Sequence, residues 1–377
     1  MKSRIHAIIT VIGLLAASCN DKATIPIVPP EPTEYNLYYG TWDYRYHDDG
    51  SWEYVHQIYV FDAADLSLRD SLPISSPAIR IEPSLDGRHL FLQRATFGHT
   101  LLGLDKIDAS TGEVLWTRPY TDSLYRRANS GVYLLAEGNL VHYQSFLLDA
   151  DDGHEVGFIP ESLVVLGGQP AEPGGSEILV TVKGDPDHRI RLYNIETGAV
   201  HGNWSPRLAT DSSVILGIYS ATLHPDQRHV LAVGSSGIWW NAWFVFGDLE
   251  TGETVGDFLI GNPNGEIAID PKRNLAIITG PHAPTLDHPK FLYLADLDTG
   301  LPRQRLSASD YRIQTGQVCV NPFTGKLLTA SGTSLGGGPL AMFDPVLLVT
   351  DTVVWPPGNP LAEDIAIAPR PQAPSAP

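Results

Sequence analysis

The sequence repeats one short turn signature seven times. Each copy is an Asp or Asn that follows a short apolar run, and the copies lie 41 to 54 residues apart: Asp62, Asp108, Asp149, Asn194, Asp248, Asp296 and Asp344. Four of them read Asp/Asn-x-x-Thr-Gly, at residues 108–112, 194–198, 248–252 and 296–300. The mean period, (344 − 62)/6, is 47 residues. A fixed period of this length predicts a repeat architecture in which each copy is one supersecondary unit.

The residues around each turn are typical of β-strands. Apolar runs rich in aromatic and branched side chains precede the turns, as at 58–61, 146–148, 244–246 and 291–294. An Asp or Asn oxygen can accept the backbone N–H two residues on, and Gly supplies the positive φ that closes the turn. We therefore expect a β-hairpin at each copy.

A second recurrent turn follows a Pro that ends a strand. Pro83, Pro225, Pro271 and Pro322 are each followed by a short polar turn and another apolar run. The repeat thus holds four short antiparallel strands, A to D, where A ends in Pro and C ends at the Asp or Asn. Four-stranded units repeated radially describe an all-β fold, the β-propeller. Two stacked β-sandwiches would not keep one turn chemistry at one period.

The two ends of the chain predict how the ring closes. The first repeat supplies only strands B, C and D, at 37–41, 55–61 and 66–72, whereas residues 364–369 form an A strand that ends in Pro369. We predict a seven-bladed propeller over residues 36–369, closed by a C-terminal strand that completes the first blade. Such closure leaves no open edge strand.

Two local patterns resemble known propeller repeats. The strand, Pro-Asp-Gly-Arg turn and strand around Pro83 resemble the YVTN-type (WD40/YVTN-like) repeat, which covers most of residues 36–369. Residues 108–116, with Trp116, resemble the repeat of quinoprotein-like propellers, including the lipoprotein of the outer-membrane assembly machinery. Quinoprotein-like propellers usually have eight blades, against seven here. These resemblances imply a fold that many unrelated functions share.

The first 35 residues predict export and lipid anchoring. Lys2 and Arg4 precede an apolar run at 5–17, and Leu15-Ala-Ala-Ser-Cys19 resembles a lipobox. We expect residues 1–18 to be a signal peptide and Cys19 to carry the lipid; cleavage without lipidation is the alternative. The Pro-rich residues 19–35 form a tether of roughly 45 Å at about 3.1 Å per residue, and 370–377 a disordered tail. Asn20 favours the outer membrane, with the periplasmic or surface-exposed side left open.

Composition excludes several classes of function. The formal charge is −18, and −20 once Lys2 and Arg4 are removed, so the protein repels nucleic acid and anionic lipid headgroups. We therefore expect no nucleic-acid partner, and membrane contact only through the Cys19 lipid. Cys319, between two valines of an A strand, would be the remaining thiol and is expected to be a small buried apolar residue.

The B–C and D–A loops, which share one face of a propeller, are long, irregular and rich in aromatic, His and Arg residues. Such loops commonly carry binding sites. The simpler alternative is that these side chains pack the loops against the blades. The candidate binding face consists of Tyr46, His47, Trp52, His99, Arg126, Arg127, Trp239, Trp240, His282, His288 and Arg312.

Three patterns suggest chemistry, and each has a simpler interpretation. Gly332-Thr-Ser-Leu-Gly336 matches the G-x-S-x-G motif, but it lies between predicted strands and no His follows it. Residues 149–155 resemble a calcium loop, yet they occupy a C–D turn position. Four loop histidines of the candidate face could meet over the channel as metal ligands, although three or four ligands must converge. We assign no catalytic residue, metal or cofactor.

Three functional hypotheses follow. The first is an envelope-anchored binding or scaffold lipoprotein that holds a protein, peptide or glycan on the candidate binding face. The second is a periplasmic enzyme or solute-binding propeller, of lactonase or quinoprotein type, that uses the central channel. It requires a ring of His, Asp and Arg converging at the channel mouth. The third, an outer-membrane protein assembly factor, depends on residues 108–116 alone.

Overall fold

A computed structural model describes residues 34–47, 49–96, 100–120, 131–166, 175–236, 242–261, 266–279, 291–307, 309, 317–330, 339–357 and 361–371. Within these ranges only the backbone is described for residues 42–46, 52 and 361–363. The strands form seven four-stranded antiparallel sheets, each of which is one blade. The predicted seven-bladed β-propeller is therefore confirmed.

Each blade is ordered from strand A to strand D. Blade 1 holds β28 (Leu361–Pro369), β1 (Tyr35–Tyr46), β2 (Trp52–Asp62) and β3 (Leu68–Pro73); blade 2 holds β4 (Ala78–Pro83), β5 (His89–Ala95), β6 (Leu101–Asp108) and β7 (Val114–Pro119). Blade 3 holds β8 (Tyr133–Leu135), β9 (Leu140–Tyr143), β10 (Phe146–Asp149) and β11 (Glu155–Phe158); blade 4 holds β12 (Leu163–Val165), β13 (Glu177–Val182), β14 (Ile190–Asn194) and β15 (Val200–Trp204). Blade 5 holds β16 (Gly217–Leu223), β17 (His229–Ser235), β18 (Ala242–Asp248) and β19 (Thr254–Gly261); blade 6 holds β20 (Ile267–Asp270), β21 (Leu275–Thr279), β22 (Phe291–Asp296) and β23 (Pro302–Ser307). Blade 7 holds β24 (Gln317–Val320), β25 (Leu327–Ala330), β26 (Leu340–Asp344) and β27 (Val349–Val354).

All seven signature residues end a C strand and cap the C–D turn, as the sequence predicted. At Asp108, Oδ1 accepts the N–H groups of Ser110 (2.8 Å) and Thr111 (2.9 Å), and the Gly112 N–H donates to the Asp108 carbonyl (2.9 Å). The side-chain oxygens of the other six make equivalent bonds: Asp62, Asp149, Asn194, Asp248, Asp296 and Asp344. Each turn is thereby stabilised by contacts within its own few residues.

Three details of the turns differ from the sequence prediction. The positive φ that closes the C–D turn belongs to Leu66 (59°) in blade 1 and Leu348 (57°) in blade 7, where the other blades have Gly. Leu66 is fully buried between blades, so its packing compensates for the strained backbone, and it lies before strand D and not in it. The A–B connection of blade 3 also differs from the predicted Pro turn, because it is a 3-10 turn, Ala136–Gly138.

The C-terminal strand closes the ring. β28 pairs antiparallel with β1, from Tyr35 opposite Pro369 to Trp42 opposite Leu361. Just beyond β28, the Arg370 N–H donates to the Glu34 carbonyl (2.9 Å), and the Arg370 guanidinium binds the carboxylates of Glu34 and Asp62. Arg370 thus connects Glu34, just before β1, with the C–D turn of blade 1. The sequence analysis did not predict this contact, because it assigned residue 370 to the disordered tail.

Seven hydrophobic clusters make up the core, and each lies between two successive blades. The cluster between blades 7 and 1, for example, joins Tyr39 and Phe61 to Leu328 and Met342. Equivalent clusters lie at the other six junctions. Each blade therefore buries its two faces against its neighbours, as expected of a repeat protein.

Aromatic side chains of outer strands pack onto glycines of the next blade. The Trp204 ring of blade 4 is fully buried over Gly247 of blade 5, where an added Cβ would lie 1.9 Å from the ring. Trp116 of blade 2 lies over Gly153 of blade 3 in the same way, at 2.7 Å. The Trp of the quinoprotein-like pattern therefore has a structural role in joining blades.

The A strands line the centre of the ring. Each lies at one end of its sheet, and A strands of successive blades contact one another, as β20 contacts β24 and β28 contacts β4. The D strands lie at the opposite end, where side chains of β7 and β27 are mostly exposed. The central channel is therefore bounded by A strands, which begin at the D–A connections and end at the A–B turns.

Candidate functional site

The structure describes little of the candidate binding face. His47 is exposed at a hairpin tip, with its Nε2 3.8 Å from the Glu53 carboxylate, and Tyr46 and Trp52 are described by their backbone alone. The remaining eight residues lie outside the described residues: His99, Arg126, Arg127, Trp239, Trp240, His282, His288 and Arg312. Their common placement on one surface stays a prediction, as does any meeting of the four loop histidines over the channel.

The predicted B–C loop of blade 1 is in fact a long hairpin. β1 and β2 pair without interruption from Asn36 opposite Asp62 to Tyr46 opposite Trp52. This pairing continues beyond Trp42, which lies opposite Leu361, the first residue of β28. Alternating aromatic and polar residues favour this pairing over an irregular loop. The two-stranded part projects on the side of the ring that carries the B–C connections.

Other residues weighed from the sequence have structural roles or lie outside the described residues. Trp243 packs, partly buried, in the core between blades 4 and 5. Asp149 caps a C–D turn, as predicted, and its carboxylate also lies close to the side chains of Asp152 and His154, so the calcium-loop alternative stays untested. Ser334 of the G-x-S-x-G match lies outside the described residues.

Four polar side chains meet in the central channel: Arg80 of β4, Glu266 just before β20, Gln317 of β24 and Asp364 of β28. We call them the channel cluster. The Arg80 Nη1 lies 3.2 Å from Glu266 Oε1 and 3.6 Å from Asp364 Oδ1. Arg80 belongs to blade 2 and Glu266 to blade 6, with blades 1 and 7 between them in the ring. This ion pair therefore spans the channel.

Gln317 and a backbone amide complete the channel cluster. With its amide nitrogen turned toward the carboxylates, Gln317 donates to both oxygens of Glu266 (2.8 and 2.7 Å) and to Asp364 Oδ1 (3.2 Å). The Ile81 N–H of the neighbouring blade donates to Asp364 Oδ2 (2.7 Å). The closing strand β28 therefore delivers a carboxylate that binds the backbone of blade 2.

Ionisation in the channel is perturbed. Burial raises the pKa of Asp364 to about 7; the Arg80 cation opposes the shift and the Glu266 carboxylate adds to it. Burial likewise raises the pKa of Glu82 to about 8, with a hydrogen bond from the Leu134 backbone acting against it. Two carboxyl groups, those of Glu266 and Asp364, lie within 3.6 Å of the one guanidinium.

Cys319 lies beside the channel cluster. Its surroundings are more polar than the sequence predicted, because the carboxyl groups of Asp364 and Glu266 are near it. It is half-buried in β24 and packs against the core between blades 7 and 1. Burial raises the pKa of the Cys319 thiol well above its usual range, and the carboxylates of Asp364 and Glu266 raise it further. The residue is therefore a neutral thiol near neutral pH and a poor nucleophile.

The channel cluster lies at the end of the channel where the D–A connections enter. Glu266 directly precedes β20, and Gln317 is the first residue of β24. Arg80 faces the lumen, with 48% of its side chain exposed, whereas Asp364 is 5% exposed. A channel enzyme or solute site was predicted to need His, Asp and Arg side chains that converge at the channel mouth. Arg80, Glu266 and Asp364 meet this requirement in part, and among the described residues no His joins them.

Sequence reasoning missed the channel cluster although a signal was available. Arg80 and Glu82 alternate with Ile79 and Ile81 in a strand that was identified only by its apolar residues and its Pro83. Because side chains two apart share a face of a strand, charges at this spacing in an innermost strand mark a polar channel wall. The partners on distant blades carry no such local signal.

A second group of ligand-type side chains lies at the opposite end, in the A–B turn of blade 5. The Asp226 carboxylate accepts from the Arg228 and His229 N–H groups (2.9 and 3.0 Å) and lies 2.8 Å from His224 Nδ1 and 2.6 Å from His229 Nδ1. Burial opposes ionisation here, but these hydrogen bonds hold the pKa of Asp226 well below its usual range. The group is a hydrogen-bonded turn cap.

Comparison with known proteins supports the fold and goes no further. No protein-family model matches the sequence, and no curated protein matches it. Among solved structures, dihydro-heme d1 dehydrogenase NirN in complex with DHE is similar over 88% of this chain and 66% of its own, with a TM-score of 0.51 at 15% identity. A chain of the mitotic checkpoint complex gives 0.50 at 14% identity over 74% and 80% of the two chains.

BamB from Moraxella catarrhalis is also similar, with a TM-score of 0.45 at 12% identity over 83% of this chain and 87% of that one. Identities this low indicate shared architecture alone. Within the described residues, no helix has the length and apolar character needed to cross a membrane. The geometry and the comparisons together identify the chain as a seven-bladed β-propeller protein.

Proposed function

We propose that this protein is a lipid-anchored binding module of the bacterial cell envelope, without catalytic activity. Its ligand binds at the end of the propeller that carries the B–C and D–A connections, with the channel mouth at the centre. The observation that carries the proposal is the channel cluster, in which four blades direct ionisable or amide side chains to one point. Burying charges in the channel costs free energy, and apolar side chains on the inner strands would fill the same space without that cost. The presence of charged groups there therefore supports a binding role.

The two ends of the propeller support this orientation. At the turn end, the carboxylates and amides of the signature residues are already bound by backbone N–H groups of their own turns. At the opposite end, Arg80 faces the lumen and the blade 1 hairpin projects beside the mouth. Arg80 and the blade 1 hairpin therefore lie on the side that the sequence assigned to loops.

Binding is favoured over catalysis by the state of the groups in the channel. Cys319, the thiol beside the cluster, is neutral near pH 7 because its pKa is raised. A channel enzyme or solute-binding propeller is the second candidate, favoured by the same convergence of Arg80 with acidic residues. The assembly-factor hypothesis depends on residues 108–116, where Trp116 packs onto Gly153 of the next blade, and it stays a prediction.

The envelope location depends on the N-terminal sequence, which lies outside the described residues. Lys2 and Arg4, the apolar run and Cys19 support export and lipidation, with the Pro-rich tether as spacer. Cys19→Ser is expected to abolish the diacylglycerol mass increment and to move the protein from the membrane fraction to the soluble fraction. Retention of a lipid mass by the variant would contradict anchoring at Cys19.

Native mass spectrometry of the lipidated protein, gently extracted from its own envelope, tests the binding proposal. We expect a co-purifying ligand or partner that is lost in Trp239→Ala/Trp240→Ala or in Arg80→Met. The control is Asp151→Asn on the turn end, whose side chain is fully exposed and lies 3.7 Å from the Lys106 ammonium. If Asp151→Asn loses the bound mass and the other variants keep it, the binding end has been assigned wrongly.

A further inference from the structure

Arg80 presents an unused pair of donors to the channel lumen. Its contacts with Glu266 and Asp364 both involve Nη1. Among the described residues, no hydrogen bond reaches its Nε or Nη2. These two nitrogens form one side of the guanidinium fork, the side that binds a carboxylate through two parallel hydrogen bonds. With 48% of its side chain exposed, Arg80 is accessible from the lumen.

The same site offers acceptors for a cation. The Glu266 side chain is 26% exposed, and its oxygens accept hydrogen bonds from Arg80 and from the Gln317 amide. Asp364 lies within 3.6 Å of the same Arg80 nitrogen. Glu82 lies on the wall contributed by β4, but its pKa of about 8 leaves it largely protonated near neutral pH. The partly exposed Glu266 carboxylate is therefore the acceptor available to an ammonium group.

The geometry also limits the size of the ligand. The 3.2 Å contact between Arg80 and Glu266 spans the channel from blade 2 to blade 6, so it forms a floor below the mouth. A ligand enters from the D–A side and stops at this floor. Both charged edges then lie within a few ångströms of each other, which suits a small molecule that carries opposite charges on neighbouring atoms.

We propose that the channel cluster binds a small zwitterion of the α-amino acid type, with its carboxylate on the Nε–Nη2 edge of Arg80 and its ammonium on Glu266. Gln317 positions Glu266 by donating to both of its oxygens. This ligand class rests on the proposed function and deepens it, because it assigns a chemistry to the channel mouth. Binding requires no covalent step.

Thermal shift and isothermal titration of the full lipidated chain in detergent test this proposal. The probes are the twenty common amino acids, and the matched half-probes are propionate, ethylamine and calcium chloride. We expect at least one amino acid to raise the melting temperature and bind measurably, while propionate and ethylamine alone do not. Arg80→Lys keeps the charge but removes the fork, so binding should weaken about tenfold or more.

Glu266→Gln supplies a second variant, which removes the partner of the ammonium and keeps the side-chain shape. Asp151→Asn, at the opposite end, is the control that should bind like the wild type. An equal response to ethylamine or calcium, unaffected by Arg80→Lys, would overturn the proposal in favour of a simple cation site. No response to any amino acid would overturn it outright. A ligand lost with the Trp239/Trp240 variant but kept by Arg80→Lys would leave the proposed function standing without this inference.

Discussion

Replacing Asp364 by Asn should stabilise the propeller at alkaline pH and much less at acidic pH. Burial raises the pKa of Asp364 to about 7 from the usual 3.8, so the folded state holds the proton more tightly than the unfolded chain does. Stability from this group is therefore complete below pH 3.8 and is lost as the pH rises through 7. An Asn side chain is neutral throughout, and its oxygen can still accept the Ile81 N–H.

The magnitude follows from the two pKa values. Relative to Asn, the wild-type carboxyl costs about 1.7 kcal/mol at pH 5 and about 4.3 kcal/mol at pH 8, so the advantage of Asn grows by about 2.6 kcal/mol. For the unit Glu34–Pro377, an unfolding entropy of roughly 2.1 cal/mol/K per residue gives about 0.7 kcal/mol/K. The melting temperature of Asp364→Asn should thus gain about 4 °C on the wild type between these two pH values.

Differential scanning calorimetry of both proteins from pH 4 to 8.5 measures this difference. Glu82 and Cys319 face the same site, and loss of the Asp364 charge lowers the pKa of both groups, which adds to the advantage of Asn at alkaline pH. Asp70→Asn, an exposed position on β3, is the matched control. A difference that is flat, or that shrinks as the pH rises, would refute the buried, proton-binding environment assigned to Asp364.

Three further predictions concern the joints of the ring. Gly247→Ala should lower the free energy of unfolding by about 1–3 kcal/mol, because the new Cβ would lie 1.9 Å from the buried Trp204 ring; Gly217→Ala, which meets only ordinary contacts, should melt like the wild type in calorimetry. Arg370→Ala should speed amide hydrogen exchange in β28 and β1 selectively, and uniform exchange across all blades would argue against its role in closure. Iodoacetamide should alkylate Cys319 far more slowly in the folded protein than in urea at pH 8, as read from its tryptic peptide by mass spectrometry, whereas rapid alkylation of the folded form would contradict its raised pKa.

The sequence determined the fold through interactions that are local. The capping of Asp108 by Ser110 and Thr111 needs only neighbouring residues, so its recurrence reported seven hairpins, their period and the strand that closes the ring. Exceptions arose where tertiary packing replaced local preference. Leu66 takes the positive φ of a glycine because its side chain is buried between blades. The blade 1 hairpin was missed for another reason, because its composition suggested a loop although its alternating residues favour paired strands.

The tertiary structure alone decided the site. Arg80, Glu266, Gln317 and Asp364 are scattered over almost the whole chain, and ring closure is what brings blades 1, 2, 6 and 7 to a common centre. The candidate binding face, by contrast, was inferred from residue types in the loops and stays a prediction for most of its members. Local chemistry therefore determined which units form, and the closed ring decided which charges meet, because contacts between blades depend on their position around the axis and not on spacing along the chain.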